Sequence, residues 1–233
     1  MAEAFARHYA VRGDQLYLLA RNPERLKALQ QDLTLRGAHR VYLHAFDATQ
    51  STQQEATLQK VYQTLPQIDI ALLAYGSLPE QQACEQNIEQ ASAEWQINAS
   101  STIELLTRLS QYFIKQGQGT IAAISSVAGD RGRQSNYFYG AAKAALSTFL
   151  QGLRNRLYPH GIHVLTIKPG FIDTPMTAQF KKGLLWAQPE QVALDIAKAI
   201  ERKKNTLYTP WFWKYIMAII RLIPETIFKR LKL

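Results

Sequence analysis

The sequence predicts a doubly wound α/β fold, a mostly parallel sheet with helices on both faces. Two observations lead there. Short apolar runs alternate with longer amphipathic ones along the chain, which is the pattern of βαβ units. And 233 residues, 47% of them hydrophobic, with no internal repeat and no low-complexity linker, suit one domain with a sizeable core.

The strand-like runs are Gln15–Ala20, Arg40–Ala45, Ile68–Ala74, Gly119–Ser125, His163–Ile167 and Thr206–Tyr208. Helical patterns fill the intervals at Ala2–Arg12, Pro23–Arg36, Thr52–Leu65, about Glu89 to Gln116, Tyr137–Tyr158 and Pro189–Arg202. Asn22 before Pro23 is an N-cap followed by proline in the first turn, and Gln188-Pro189 repeats the device. The predicted division is an oxidoreductase-like body over residues 1–208 and a basic amphipathic tail over 209–233.

Composition excludes several classes. One cysteine, Cys84, permits no intramolecular disulfide and no thiolate metal cluster, which fits a reducing, cytoplasmic setting. The five histidines (His8, His39, His44, His160, His163) show no metal-ligand spacing, so no metal is expected. No secretory signal and no run of roughly 18 apolar residues is visible. The net charge is +9, and the segment from Arg202 to Leu233 carries eight basic residues against Glu225, so +7 of it belongs to the tail. A nucleic-acid binder more often spreads its basic residues over a folded face, so no nucleic-acid partner is expected.

Tyr139-Gly140-Ala141-Ala142-Lys143 sets a phenol and an ammonium on one helix face. A neighbouring cation stabilises a phenolate and lowers the phenol's pKa, so Tyr139 could protonate a carbonyl oxygen or deprotonate an alcohol. Ser126, just past an apolar strand, could hold the substrate oxygen. Roughly 0.6 such Tyr-x-x-x-Lys pairs would arise by chance from 11 Tyr and 13 Lys, so the pair alone decides nothing. Its surroundings do: Ile97-Asn98-Ala99-Ser100 upstream, Ile124-Ser125-Ser126-Val127-Ala128-Gly129 at a strand end, and Lys168-Pro169-Gly170-Phe171-Ile172-Asp173-Thr174-Pro175 after the next strand.

Together these motifs resemble the short-chain dehydrogenase/reductase family, from Met1 to about Tyr208. The resemblance implies a catalytic tetrad of Asn98, Ser126, Tyr139 and Lys143. In it, Asn98 holds a water in a relay to Lys143, which also binds the nicotinamide ribose. It implies cofactor contacts from Arg21, Asp47, Ala74, Gly76, Tyr139, Lys143, Pro169, Gly170, Ile172 and Thr174. Asp47 matches the position near the adenine, and Thr174 the one at the nicotinamide carboxamide. Ala20 stands where an acid would accept from a ribose 2′-hydroxyl, and Arg21 offers a cation, which favours NADP over NAD. The other reading makes Arg21 a surface charge before a helix cap. The family also implies a homo-oligomer, dimer or tetramer, through the helices beginning near Glu89 and Tyr137.

Two departures stand out. The family opens with a strand and a glycine-rich turn that cradles the pyrophosphate. Here Ala2-Glu3-Ala4-Phe5-Ala6 matches the helix after that turn, so a central strand is missing and a gap is expected between the second and fourth strands of the usual order. A mis-assigned start, a shortened chain and a degenerate protein are the three explanations, the first favoured by the intact remainder of the site. The family's Asn-Asn-Ala-Gly is replaced by Leu73-Ala74-Tyr75-Gly76-Ser77-Leu78-Pro79. That loop and the tail resemble the branch that reduces polyprenyl-phosphate-linked 2-keto pentofuranoses for cell-wall glycans.

In the tail, Lys214, Arg221, Glu225, Lys229 and Lys232 recur along one stripe. Trp211, Trp213, Ile216, Ile219, Ile220, Ile223 and Phe228 fill the rest, and Pro224 kinks the helix or begins a second one. Such a helix suits an anionic membrane surface, here the inner face of the cell membrane; the alternative is packing on the body or a partner subunit. The leading expectation is a membrane-associated, NADP-preferring reductase of a lipid-linked keto sugar. A soluble reductase of another ketone, acyl or steroid-like substrate, and a non-catalytic scaffold that lost its nucleotide loop, are the alternatives.

Overall fold

The computed structural model describes residues 1–231. Helix α1 (Ala2–Val11) leads into β1 (Gln15–Ala20), α2 (Pro23–Leu35), β2 (Arg40–Ala45), α3 (Ser51–Thr64) and β3 (Ile70–Leu73). A short α4 (Gln81–Gln86) and α5 (Ile88–Trp95) run through a π-helical turn, Gln96–Ser100, into α6 (Ser101–Gln116). Then come β4 (Gly119–Ile124), α7 (Tyr137–Leu157), β5 (Ile162–Pro169), the two-residue strands β6 (Phe171–Ile172) and β7 (Trp186–Ala187), α8 (Pro189–Glu201) and β8 (Thr206–Thr209). The tail forms α9 (Trp213–Leu222) and α10 (Glu225–Phe228).

All strand pairings are parallel, in the orders β1-β2, β3-β4-β5-β8 and β6-β7. β1 and β3 are not paired with each other, so the sheet is split at the expected gap. The burial pattern registers it. The central strand β4 is almost wholly buried, whereas no residue of the apolar β1 is: Leu16, Tyr17 and Leu18 are half-buried and Gln15, Leu19 and Ala20 are exposed.

Alternate side chains of the main sheet enter opposite cores, as the two-residue period requires. Ile121, Ala123 and Val164 pack with Leu106, Phe113, Leu146 and Leu150 from α6 and α7. Ala122, Ile124, Leu165 and Ile167 face Phe5 and Tyr9 of α1 and Ile196 and Ile200 of α8. Each fully buried Leu or Ile in these layers contributes about 1.5–3 kcal/mol. Helix α1 also bridges the split. Its Phe5 and Tyr9 share a cluster with Leu16 of β1 and with Ile70 and Leu72 of β3, while Ala6 and Ala10 pack with Leu33 and Val41.

Several sequence expectations are adjusted here. The long helix from Glu89 is interrupted by the π turn. Asn22 caps α2 through its side chain, accepting from the Arg25 amide at 3.0 Å, whereas Gln188 makes no side-chain cap for α8. α4 and the β6-β7 pair are too short to show a period. The tail does split at Pro224, but its apolar residues divide. Trp213, Met217 and Phe228 are buried, while Trp211, Tyr215, Ile219 and Leu222 are exposed. Glu225 is ion-paired with Arg131, and Lys232 of the basic stripe lies outside the described residues.

Candidate active site

Parallel pairing puts the C-terminal ends of β1–β2 and of β3–β4–β5 at like edges of their sheets, the edge where open α/β sheets take ligands. Every site residue expected from the sequence follows one of those strand ends or sits on a helix that reaches that edge.

Ser126 follows β4 in extended backbone, and its hydroxyl accepts from the Ala128 amide at 3.1 Å as the chain turns through Val127–Asp130. That turn lies directly on α7. A Cβ on Gly129 would come within 2.7 Å of the Ala144 nitrogen and the Lys143 carbonyl carbon, and one on Gly140 within 2.9 Å of the Ala128 oxygen. Two glycines thus let the strand-end loop touch the helix between Tyr139 and Lys143. Ser125 reinforces the contact, donating to the Lys143 carbonyl at 2.9 Å and sharing a 2.7 Å hydrogen bond with Ser147.

Lys143 is 3% exposed, with its ammonium 3.3 Å from the Ile124 carbonyl and 5.7 Å from the Tyr139 ring centre. Burial lowers its pKa to about 8. The Tyr139 phenol behaves differently from the sequence expectation. Burial raises its pKa, and the Ser126 hydroxyl only partly offsets the rise. Desolvation of the phenolate sets the direction of the shift.

Asn98 lies in the π turn, a distortion that recurs at functional sites. Its side chain is fully engaged. Oδ1 accepts from the Ser77 amide at 3.1 Å, and Nδ2 donates to the Ser77 hydroxyl at 3.0 Å and to the Glu94 carboxylate at 3.2 Å. Ser77 in turn donates to Glu94. Gly76 fits between the two polar centres: a Cβ there would sit 2.9 Å from Asn98 Oδ1 and 3.3 Å from the Lys143 ammonium. Sequence reading did not single out Ser77 or Glu94. A polar residue beside Gly76, and an acid one helical turn before Asn98, were the available signals.

On the β1–β2 side, Arg21 is exposed and makes no hydrogen bond or ion pair among the described residues. Asp47 accepts from the Thr49 amide and hydroxyl, at 3.0 and 2.8 Å, which lower its pKa, with a smaller effect from Arg21. Ala74 and Gly76 follow β3. Pro169 pairs with Thr209, and Gly170 is covered by the Trp213 indole, which occupies the place a side chain would take. Ile172 is buried, and Thr174 forms a capping box with Thr177. Behind them a buried cluster ties three elements together: Lys168 contacts Asp130, which also accepts from Tyr208 at 2.8 Å. Burial first, and then Asp130, raise the Tyr208 pKa.

The short chain dehydrogenase family model matches residues 1–184. The chain belongs to the short-chain dehydrogenase family. An uncharacterised oxidoreductase of Mycobacterium tuberculosis is 32% identical over 219 residues, covering 94% of this chain and 88% of the relative. One of Streptomyces coelicolor is 31% identical over 229 residues, covering 98% and 90%. Among solved structures, an alcohol dehydrogenase of the archaeon Thermococcus sibiricus, complexed with 5-hydroxy-NADP, superposes with a TM-score of 0.78 at 20% identity over 88% of this chain and 89% of that one. This short-chain dehydrogenase is accordingly an NAD(P)-dependent oxidoreductase on a Rossmann-like fold.

Proposed function

We propose that this enzyme reduces a carbonyl with NADPH, using Ser126, Tyr139 and Lys143, and that its substrate is a lipid-linked keto sugar met at an anionic membrane face. The observation that carries the chemical half is the loop-on-helix contact at Gly129 and Gly140, which gathers the three side chains. A reduced nicotinamide bound here would supply the hydride. Ser126 donates to and orients the carbonyl oxygen. The Tyr139 hydroxyl delivers its proton to that oxygen as negative charge develops there. A phenol held protonated by burial is suited to the acid's role in reduction. The Lys143 ammonium stabilises the phenolate that results, and Asn98 and Ser77 shape the path by which the proton is replaced.

The residues present fit a nicotinamide dinucleotide over much of its length. A Cβ on Gly76 would press on Asn98 and Lys143, Lys143 would bind the nicotinamide ribose as the family resemblance implies, and Asp47 is held by Thr49. Arg21, exposed and unpaired among the described residues, would take a 2′-phosphate, which favours NADP. The lipid-linked substrate is supported by the tail, where Trp211 at 72% and, on α9, Ile219 at 65% and Leu222 at 81% exposure accompany the exposed cations Lys214, Arg221 and Lys229. No helix among the described residues is long and apolar enough to cross a membrane.

Tyr139→Phe tests the chemistry. NADPH oxidation with xylulose and with cyclohexanone as probe carbonyls is expected to fall roughly 10²- to 10⁴-fold, with the fold retained by circular dichroism. Turnover within a few-fold of the parent's would sink the assignment.

A further inference from the structure

Beside the start of α7 lies a cleft of about 150 Å³ lined by Arg133, Gln134, Glu225, Phe228, Lys229 and Leu231. The Arg133 guanidinium is half-buried, and its Nε is shut from solvent without a hydrogen-bond partner among the described residues. Desolvation lowers its pKa, and no acid among the described residues offsets it. The one carboxylate in the lining, Glu225, is already committed to Arg131 at 2.9 Å, and the Arg131 guanidinium also stacks 3.6 Å over the Phe228 ring. Among the described residues the cleft therefore holds a positive charge without a paired acid, to which the exposed Lys229 adds. Three residues after Arg133, Asn136 leaves its Oδ1 buried and unpartnered as well. A buried cation costs stability unless an anion pairs with it, and a buried acceptor does so unless a donor reaches it.

We infer that this cleft is a subsite for a phosphate ester on the substrate, gripped by Arg133 and Lys229. The inference rests on the proposed lipid-linked keto-sugar reading, in which one phosphate joins sugar and lipid. Chain connectivity links the cleft to both the active site and the tail. Arg133 lies six residues before Tyr139, in the loop that leads into α7, and Lys229 belongs to the tail that carries the exposed aromatics. In this reading the phosphate joins a sugar at Tyr139 to a lipid held by the tail. Guanidinium recognises phosphate through directed, charge-assisted hydrogen bonds, and the Nε without a partner is one such donor.

The test is a calorimetric titration of the full chain with NADPH present, using hexyl phosphate below its micelle concentration, inorganic phosphate, and phosphatidylcholine vesicles with and without phosphatidylglycerol. Hexyl phosphate is expected to bind the parent protein more tightly than inorganic phosphate does. Arg133→Gln is expected to weaken it about tenfold or more, and Lys229→Gln by roughly threefold. Arg36→Gln, a change at the ion pair with Asp32 just past the end of α2, is the control and leaves binding unchanged. Vesicle binding by Arg133→Gln is expected to match the parent's. If the parent binds neither soluble probe, or if both cleft variants bind hexyl phosphate as it does, the subsite is refuted. Loss of vesicle binding in Arg133→Gln with hexyl phosphate affinity intact would also refute it, since the cleft would then read lipid headgroups. Lys229 is exposed, so its variant decides the matter if Arg133→Gln does not fold. Tyr139→Phe is expected to keep full hexyl phosphate affinity, so failure of the catalytic assignment and failure of the subsite register separately.

Discussion

At the residue scale, the site turns on two titratable groups that burial pushes in opposite directions of pKa but toward the same neutral form. Lys143 is lowered to about 8 while the Tyr139 phenol is raised. If the ammonium must be charged to steady the phenolate, kcat/KM for reduction falls as pH rises through about 8. A profile flat to pH 10 would remove Lys143 from that role. Stability runs the other way. The folded pKa lies below the ordinary 10.5, so unfolding takes up a proton between the two values, and urea stability rises with pH across that window. A buried ammonium kept at a cost to stability is what a functional group looks like thermodynamically. Arg21 gives the other residue-scale prediction. Arg21→Gln should raise the KM for NADPH by about tenfold and leave that for NADH nearly unchanged. Equal changes for both would return Arg21 to the status of a surface charge.

At the element scale, the decisive contact is between the turn after β4 and helix α7. Gly129→Ala drives a methyl against the backbone of Lys143 and Ala144, which cannot yield as a flexible side-chain tip would. The expected cost is about 1–3 kcal/mol in urea unfolding, with a fall in kcat as Ser126 shifts relative to Tyr139. Gly132→Ala, three residues on and facing nothing within 4 Å, should be close to neutral in both measurements. Matching losses in the two variants would mean that the close approach does not set the site. The same loop continues into Arg131, which donates to the Ile220 and Ile223 carbonyls at 2.6 Å each and so clasps the end of α9. The tail is therefore fastened to the loop that carries Ser126, and Val127 lies beneath Trp213 and Met217.

At the scale of the whole molecule, that fastening makes the tail two-sided. One side completes the body over Gly170 and Val127, and the other leaves aromatics and cations exposed. Removing the segment would expose the core beneath it, so a surface variant is the cleaner probe. Replacing Trp211, Tyr215 and Ile219 together by Ser should lower partition onto phosphatidylglycerol-containing vesicles roughly tenfold or more while preserving thermal stability. Partition that ignores both the substitutions and the anionic lipid would leave α9 as a plain covering helix. The split sheet is the other feature at this scale. α1 spans it on one face, holding β1 and β3 through Leu16, Ile70 and Leu72.

The order of strands and helices was legible in the residues because long elements print their period on the sequence. The six strands and the major helices of the body fall within a few residues of where the apolar pattern put them. The elements that carry Ser126, Tyr139 and Lys143 also fall where the pattern put them: a strand end for the first and one helix, α7, for the other two. The gap between β1 and β3 was foretold by the resemblance to the family, not by the pattern alone. What it could not carry were contacts between residues far apart in sequence. The π turn at Asn98, the Ser77–Glu94 pair that occupies its amide, and the glycine contacts that bring the β4 loop onto α7 leave no periodic trace. The sign of the Tyr139 shift was likewise invisible, because it depends on how much water the fold excludes rather than on which cation lies four residues away. The tail's composition showed aromatics and cations together, but only packing against Val127 and the clasp by Arg131 decided which face is buried and which is left to solvent. Local periodicity is written along the chain; burial and charge balance are set by what the fold brings alongside.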